Sequence, residues 1–210
     1  QDLRIATPRE NRKLFYIAGL FVLNDEVINT DTLALKGAMA NIWKTIPAFS
    51  QLPINENNYL ETVNINSSIS SSSIAGYFSG SYEISDRIRF NGGFRYTVEK
   101  KEMTFTQIPT SPFVIPGVLP HGIVGAAVAA PIDTEREATD KVWSGNFGMD
   151  FKTTDNILIY LSYSRGFKGS GFNITFTPSA APEDAAFRFK PEFSNSYEIG
   201  VKLKSSNRFM

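Results

Sequence analysis

The 210-residue chain contains no cysteine and a single histidine, His121. Without thiols it can have neither a cysteine nucleophile nor a cysteine-rich zinc site, and one histidine cannot form a paired-histidine metal centre. Basic and acidic side chains balance, with 21 of each and a formal net charge of zero. Because a protein that holds phosphates needs a basic surplus on one face, this balance argues against a nucleic-acid partner.

Long hydrophobic runs are missing as well. No stretch of about 20 apolar residues occurs, which excludes a helical membrane span. The mean hydropathy of −0.16 is that of a polar chain. Only every second residue of a membrane β-barrel faces lipid, however, so a polar average is compatible with such a barrel.

What the chain does have is a long-range alternation of apolar and polar residues. In residues 87–99, Ile88, Phe90, Phe94, Tyr96 and Val98 share one parity, whereas Arg87, Arg89, Arg95 and Glu99 share the other. Residues 142–152 and 196–204 repeat the pattern. Because side chains alternate across a strand, one face must contact something apolar and the other something polar. Long strands with aromatic residues towards their ends are typical of a membrane barrel with a wet lumen.

The order of strands and connections predicts the architecture. We expect strands over residues 1–7, 14–24, 69–84, 87–106, 135–152, 157–173 and 193–204. Short turns should alternate with long connections at residues 25–61, 107–137 and 175–189. This alternation predicts an all-β fold, an antiparallel transmembrane β-barrel segment of about seven to eight strands with short periplasmic turns and long extracellular loops. Seven strands are too few to close, so residues 1–210 are expected to be an internal part of a larger barrel, without its terminal strands.

Two shorter segments carry their own predictions. Residues 32–46 are rich in helix-forming side chains, and Asp31 precedes them, so a short loop helix capped by Asp31 is expected. The serines between Ser67 and Ser73 allow two interpretations, a flexible loop or the lumen end of a long strand.

Three sequence blocks resemble the strands of TonB-dependent outer-membrane receptors. They are SIAGYFSGSYEISDRIRFNGGFRYT (residues 73–97), YLSYSRGFK (residues 160–168) and PEFSNSYEIGVK (residues 191–202), and they occur in the order found in that family. The resemblance covers most of the strands and little of the loops. The family's amino-terminal plug and the segment that contacts TonB have no counterpart here.

The resemblance implies a function and a set of partners. It implies a receptor in the cell outer membrane that binds a scarce nutrient, usually a ferric siderophore, and moves it inward with energy passed on by TonB. The expected partners are outer-membrane lipid, the plug domain missing from this chain, TonB acting through that plug, and a siderophore-type small ligand. The protein is not expected to be an enzyme, and no cofactor or metal is expected.

The candidate site residues fall into three groups. Ionic residues on the polar parity would cost several kcal/mol each at the lipid midplane, so they are expected to face the lumen: Glu83, Arg89, Arg95, Glu99, Glu198 and Lys202. Amphipathic rings at the two membrane boundaries are expected to form aromatic girdles: Tyr82, Tyr96, Trp143, Phe151, Tyr160 and Tyr163. Loop residues that could touch a ligand are Trp43, Phe113 and His121, although packing is the alternative for Trp43.

Two alternatives of other classes stay open at this level. One is a small stand-alone outer-membrane barrel, porin-like or adhesive, which should show an even strand number. The other is a soluble ligand-binding β-barrel, whose core would lie inside, so that the arginine parity would face out.

Overall fold

One antiparallel sheet dominates the computed structural model, which describes residues 1–8, 13–111, 123, 129–175 and 187–204. Its seven strands follow one another in chain order: β1 (Asp2–Ala6), β2 (Leu14–Lys36), β3 (Leu60–Ser85), β4 (Ile88–Thr110), β5 (Ile132–Thr154), β6 (Ile157–Lys168) and β9 (Glu192–Leu203). A two-stranded sheet pairs β7 (Gly171–Phe172) with β8 (Arg188–Phe189). The predicted antiparallel all-β class is therefore confirmed.

Short turns and long connections alternate, as the sequence predicts. Two residues separate β3 from β4 and two separate β5 from β6, whereas β2–β3, β4–β5 and β6–β9 are joined by long connections. The registers within these hairpins are almost uninterrupted, with irregularities only beside the two tight turns, at Glu83/Ser85 and Lys152/Thr154. Every long connection therefore leaves the sheet at the same end.

The strand bounds correct several predictions. β2 continues twelve residues beyond the predicted end, to Lys36, and β3 begins at Leu60 rather than at residue 69. β4 and β5 are likewise longer, while β6 ends early, at Lys168. The predicted connections 25–61 and 107–137 were therefore too long. The serine-rich segment belongs to β3, which confirms the strand interpretation and excludes the flexible loop.

The helix prediction was only partly correct. Helix α1 spans Met39–Lys44, so the segment from Thr32 to Lys36 is strand, and Asp31 lies inside β2 rather than at a cap. Ala38 occupies the cap position and makes no side-chain cap bond. Pairing with β3 satisfies the backbone of residues 31–36, which outweighs their helix propensity.

The sheet has two chemically distinct faces near the short turns. We call one the aromatic face, defined by Phe78, Phe94 and Phe147 and the residues that share their parity through the strand registers. Its large side chains are exposed, among them Leu20, Ile74, Phe78, Phe94, Phe147, Ile199 and Val201. On β2, β3, β4 and β5 this apolar set spans roughly the 9–11 residues that cross a bilayer. The other side of the sheet we call the opposite face.

Further from the turns, the polarity of the two faces is reversed. The aromatic face now carries side chains such as Ser70, Ser72, Lys100, Glu102 and Glu137, all exposed or half-buried. On the opposite face a hydrophobic cluster is buried, formed by Val63, Ile65, Met103, Phe105 and Ala138 with Ala129, Phe172 and Phe187. The strands therefore have two parts. The part next to the short turns, with exposed apolar residues, we call the lower segment. The extension beyond it, packed like a water-soluble domain, we call the upper segment.

The connection between β2 and β3 packs as a second small cluster. Helix α1 and the 3₁₀ turn Pro47–Phe49 bury Ala40, Trp43, Ile54 and Tyr59 together with Ile123 of the next long connection. Gly37 turns the chain out of β2 with φ of +50°, a left-handed conformation that glycine adopts without a side-chain clash.

Both edges of the large sheet are open among the described residues. β1 pairs only with β2, and β9 pairs only with β6. Unpaired edges cannot be exposed to hydrocarbon because their backbone groups would be unsatisfied. A seven-stranded sheet in lipid therefore needs further strands beside β1 and β9. None of the helices in the described part of the chain is long and apolar enough to cross a membrane.

Candidate functional site

The six ionic residues predicted to share a face do so. Glu83 is the register partner of Arg89 across β3 and β4, and Arg89 is that of Asp150 across β4 and β5. The strand registers place Arg95, Glu99, Glu198 and Lys202 on the same side of the sheet. Arg89 donates from Nε and Nη2 to Asp150 Oδ2 at 3.0 and 2.6 Å. All six lie on the opposite face. That this face lines a lumen stays a prediction.

Five of the six predicted girdle residues lie on the aromatic face. Tyr82, Tyr96, Trp143, Phe151 and Tyr163 share the parity of Phe78 and Phe94. Two of them contact neighbouring rings: Trp143 stacks on Phe94 with ring centroids 6.2 Å apart, and Tyr163 lies against Tyr197 in a tilted arrangement with centroids 5.0 Å apart. Cross-strand aromatic pairs of this kind stabilise a sheet face.

Tyr160 is the exception, and its assignment to the girdle was wrong. Its register partners are Asp150 and Gly200, so it lies on the opposite face with the ionic residues. The ring covers Gly200, where an added Cβ would lie 2.5 Å from Tyr160 Cζ, and the hydroxyl donates to Glu198 Oε1 at 2.6 Å. A missing side chain at Gly200 therefore provides the space that Tyr160 fills.

The lower part of the opposite face contains an open groove of about 610 Å³. Its wall combines aromatic and polar groups, including Phe21, Tyr77, Arg95, Asn146 and Ser164. Tyr77 donates to Asp2 Oδ1 at 2.8 Å, two strands away, and the Arg95 guanidinium lies 4.8 Å from the Phe21 ring centroid. The opposite face of the lower segment therefore carries polar, hydrogen-bonding side chains, unlike the aromatic face behind it.

Of the three predicted loop residues, only Trp43 belongs to the described part of the chain. It is buried, packs edge-on against Phe49, and donates from Nε1 to Tyr59 Oη at 2.5 Å. Tyr59 in turn donates to Glu61 Oε2 at 2.5 Å. The pKa of the Tyr59 phenol is raised, mainly by burial and secondly by this hydrogen bond. Trp43 thus has the packing role, and a ligand could reach it only if this cluster opened. Phe113 and His121 lie outside the described residues.

A polar contact holds the connection after β6 against the opposite face. Asp140 Oδ2 accepts from the Ser170 backbone N–H at 2.6 Å and from its hydroxyl at 2.7 Å, and all these groups are buried. Lys101 Nζ donates to Ser170 O at 2.8 Å and pairs with Glu99 Oε2 at 3.1 Å. We call these four residues the Ser170 anchor. It positions Phe172 to enter the upper hydrophobic cluster.

Next to this anchored segment is a cavity of about 910 Å³. We call it the upper groove; it is lined by Arg136, Glu137, Phe172, Phe187, Arg188, Phe189, Lys190, Pro191 and Glu192. Aromatic rings and three basic side chains therefore surround a concave surface, where Phe189 is 57% exposed. Sequence analysis missed this site because its parts, residues 136–137, 172 and 187–192, come together only when the connection folds back.

Breaking the Ser170 anchor should detach residues 169–175 from the sheet and so disorder the upper groove. In an Asp140→Ala variant both buried Ser170 donors lose their acceptor, at a cost of about 1–3 kcal/mol for each unsatisfied group. We expect protease sensitivity to appear in residues 169–175 while the lower strands stay protected. The matched control is Asp155→Ala, which removes an exposed carboxylate that pairs with Lys152 at 2.9 Å and should change little. Equal protection of residues 169–175 in both variants would contradict the anchor.

The described residues offer no obvious metal centre. No group of three or more histidine, aspartate or glutamate side chains within them is placed to hold an ion. The chemical features of the described residues are therefore three surfaces. They are the exposed apolar part of the aromatic face in the lower segment, which we call the apolar belt, the polar opposite face behind it, and the upper groove at the end with the long connections.

Comparison with known proteins gives two findings. A family model described as TonB dependent receptor-like, beta-barrel, matches residues 14–210. Among solved structures, the ferric yersiniabactin uptake receptor FyuA from Yersinia pestis matches with a TM-score of 0.65 at 17% sequence identity. The match covers 98% of this chain and 26% of the FyuA chain, so this chain spans about a quarter of that receptor's length. No curated protein matches the chain. At this identity the likeness to FyuA shows the fold alone.

Proposed function

Because the chain belongs to the TonB-dependent receptor-like β-barrel family, we propose that it forms part of the barrel wall of a Gram-negative outer-membrane receptor. The receptor would take up a scarce nutrient with energy passed on by TonB, and would act as a transporter rather than as an enzyme. The observation that carries this proposal is the reversal of polarity along the strands. A belt of exposed aromatic and aliphatic side chains, long enough to cross a bilayer, continues into strands with a polar outer surface.

This reversal also supports an orientation. The short turns lie next to the apolar belt, whereas the long connections follow the polar upper segments. In outer-membrane barrels the short turns are periplasmic and the long loops extracellular. The ionic opposite face would then line the lumen, where it would meet water and the plug domain, and TonB would act through that plug.

We further propose that the nutrient is a ferric siderophore, bound at the upper groove. The groove combines exposed and buried phenylalanines with Arg136, Arg188 and Lys190, against the acidic Glu137 and Glu192. Aromatic rings offer flat apolar surfaces, and guanidinium groups pair with anionic oxygen. The surface therefore suits a negatively charged chelate that carries rings. The solved FyuA structure is named as a receptor for ferric yersiniabactin, which agrees with this substrate class at low identity.

The stand-alone barrel is the weaker alternative, because the seven described strands leave two edges unpaired. The soluble barrel is weaker still. It would require the ionic face to be the outer one, whereas the connection after β6 packs over that face and buries it in the upper segment.

The substrate proposal is tested by removing side chains from the upper groove. In the complete receptor, Phe189→Ala combined with Arg188→Gln should weaken binding of a ferric aromatic chelate about 30-fold, since each of the two lost contacts contributes roughly 1 kcal/mol. The control is Ile108→Ala, which trims an exposed apolar residue on the aromatic face, away from the groove. Binding is measured by fluorescence quenching, and uptake by growth under iron limitation. Unchanged affinity in the double variant would exclude the groove as the chelate site.

A further inference from the structure

Arg165 occupies an unusual place on the aromatic face. On β6 that face presents Ile157, Ile159, Leu161 and Tyr163, and the next position is Arg165. Its register partners are Gly145 on β5 and Asn195 on β9, so it stands on the exposed side of the sheet rather than with the ionic residues behind. It is the first charged residue above the apolar belt on this strand, at the end with the long connections.

Two aromatic rings hold the Arg165 guanidinium. Its Cζ lies 4.5 Å from the ring centroid of Trp143 and 4.8 Å from that of Phe193, which belong to the two neighbouring strands. Both rings lie on the upper side of Arg165, so the side chain points away from the apolar belt, towards the boundary with water. Cation–π contacts orient a guanidinium without neutralising it.

The charge of Arg165 is not matched by any anion in the described part of the chain. Its Nε is buried and has no hydrogen-bond partner, and no carboxylate there forms an ion pair with its guanidinium. By contrast, nearby Lys100 is paired with Glu102 and Glu137 at 2.6 and 3.1 Å. A cation at a lipid boundary is stabilised by an anionic partner, and an arginine fork fits the oxygens of a phosphate.

A second basic residue stands beside the same ring. Lys141 lies two residues from Trp143 on β5, on the same face, and is exposed. Its register partner is Val98, the last apolar residue of the belt on β4. No described carboxylate forms an ion pair with it. Along β5, Trp143 lies between Lys141 and Gly145, the register partner of Arg165, so the two basic residues flank Trp143 from above and below. Tyr163 and Tyr197 occupy the next position of the aromatic face below Arg165, with ring centroids 5.0 Å apart.

We propose that Arg165 and Lys141, with Trp143 and Phe193, form a binding site for the phosphate headgroup of an outer-leaflet lipid. The lipid is favoured over a free anion because the site continues downward into an apolar surface. The rings of Tyr163 and Tyr197 and the side chains of Leu161 and Ile199 would contact the acyl chains while the basic groups hold the phosphate. The proposal depends on the aromatic face meeting lipid, and it is independent of ligand uptake.

The test compares cation-removing substitutions on the two faces of the complete receptor. Arg165→Gln and Lys141→Gln remove charges from the proposed site. Lys202→Gln is the matched control, since Lys202 Nζ also lies over an aromatic ring, 4.9 Å from Tyr160, but on the opposite face. Correct assembly of each variant is checked by its heat-dependent shift in gel mobility. Retention of bound lipid is then measured by native mass spectrometry in detergent, with phosphorylated lipid A, dephosphorylated lipid A and inorganic phosphate as probes.

We expect phosphorylated lipid A to be retained by the unsubstituted protein and by Lys202→Gln. Arg165→Gln should weaken that binding about tenfold, as expected for loss of a charge-assisted contact, and Lys141→Gln somewhat less. Equal retention of phosphorylated and dephosphorylated lipid A would show that Arg165 only reaches towards water, and would overturn the proposal. Binding of inorganic phosphate alone with the same dependence on Arg165 would reveal a free-anion site and would overturn the assignment to a lipid.

Discussion

A Phe78→Arg variant of the complete receptor is expected to fail in outer-membrane assembly. Phe78 lies near the middle of the apolar belt on β3, is 52% exposed, and stacks on Tyr16 with ring centroids 6.2 Å apart. An arginine facing lipid near the midplane costs about 2–4 kcal/mol in a β-barrel. That cost adds to the loss of the Tyr16 contact. The measurement is the amount of folded, heat-modifiable protein in the outer-membrane fraction.

The neighbouring residue supplies the control. Ser79 is also exposed, but its side chain lies on the opposite face, in register with Gly93. Ser79→Arg introduces the same charge one residue away and should assemble normally, because the long side chain can extend into water. Similar yields for the two variants would show that the two faces meet the same solvent, and would contradict the membrane orientation of the sheet.

In the upper segment, substitutions on the opposite face are expected to be costly, whereas those on the aromatic face are expected to be tolerated. Phe105 is fully buried on the opposite face and meets Phe187 edge-on with ring centroids 5.1 Å apart. Truncating a buried phenylalanine typically costs about 3–5 kcal/mol, from lost transfer energy and the cavity that remains. Phe105→Ala should therefore loosen the connection that carries Phe172 and Phe187, and the upper groove with it. Hydrogen exchange in residues 169–175 and 187–191 measures this loosening.

The control for this prediction is again the adjacent residue. Thr104 is exposed on the aromatic face, where its hydroxyl lies 2.9 Å from that of Ser68. Thr104→Ala should change stability by about 1 kcal/mol or less, as expected for one exposed hydrogen bond. Comparable exchange rates in the Phe105→Ala and Thr104→Ala variants would argue against a packed core above the belt.

The sequence alone was sufficient for the lower part of the strands. Apart from Gly92 and Gly93, residues 87–99 alternate between apolar and polar side chains, and such a pattern specifies a two-faced strand and its parity. The parity of Arg89, Arg95 and Glu99 could therefore be assigned before their partners were known. Tyr160 could not, since Leu158 and Tyr160 share their parity with Ser162 and Ser164 and the pattern is mixed there. The register of Tyr160 with Gly200 decides the side on which it lies.

The upper segments were missed because the apolar set changes parity within a single strand. In β3, Val63, Ile65 and Ile69 occupy odd positions, whereas Ile74 and Phe78 occupy even ones, with serines between them. A search for one uninterrupted alternation ends at that change. The change of parity is nevertheless present in the sequence and could have indicated that the environment of each face changes along the strand.

Local alternation, turn residues and strand order thus follow from the sequence, because each depends on side chains a few positions apart. The Ser170 anchor, the upper groove and the setting of Arg165 do not. Asp140 meets Ser170 across 30 residues, and Arg165 acquires its two rings from different strands. Such contacts are determined by the registers of the hairpins and by the path of the long connection after β6. Those depend on the free energy of the whole packed sheet, which no single segment encodes.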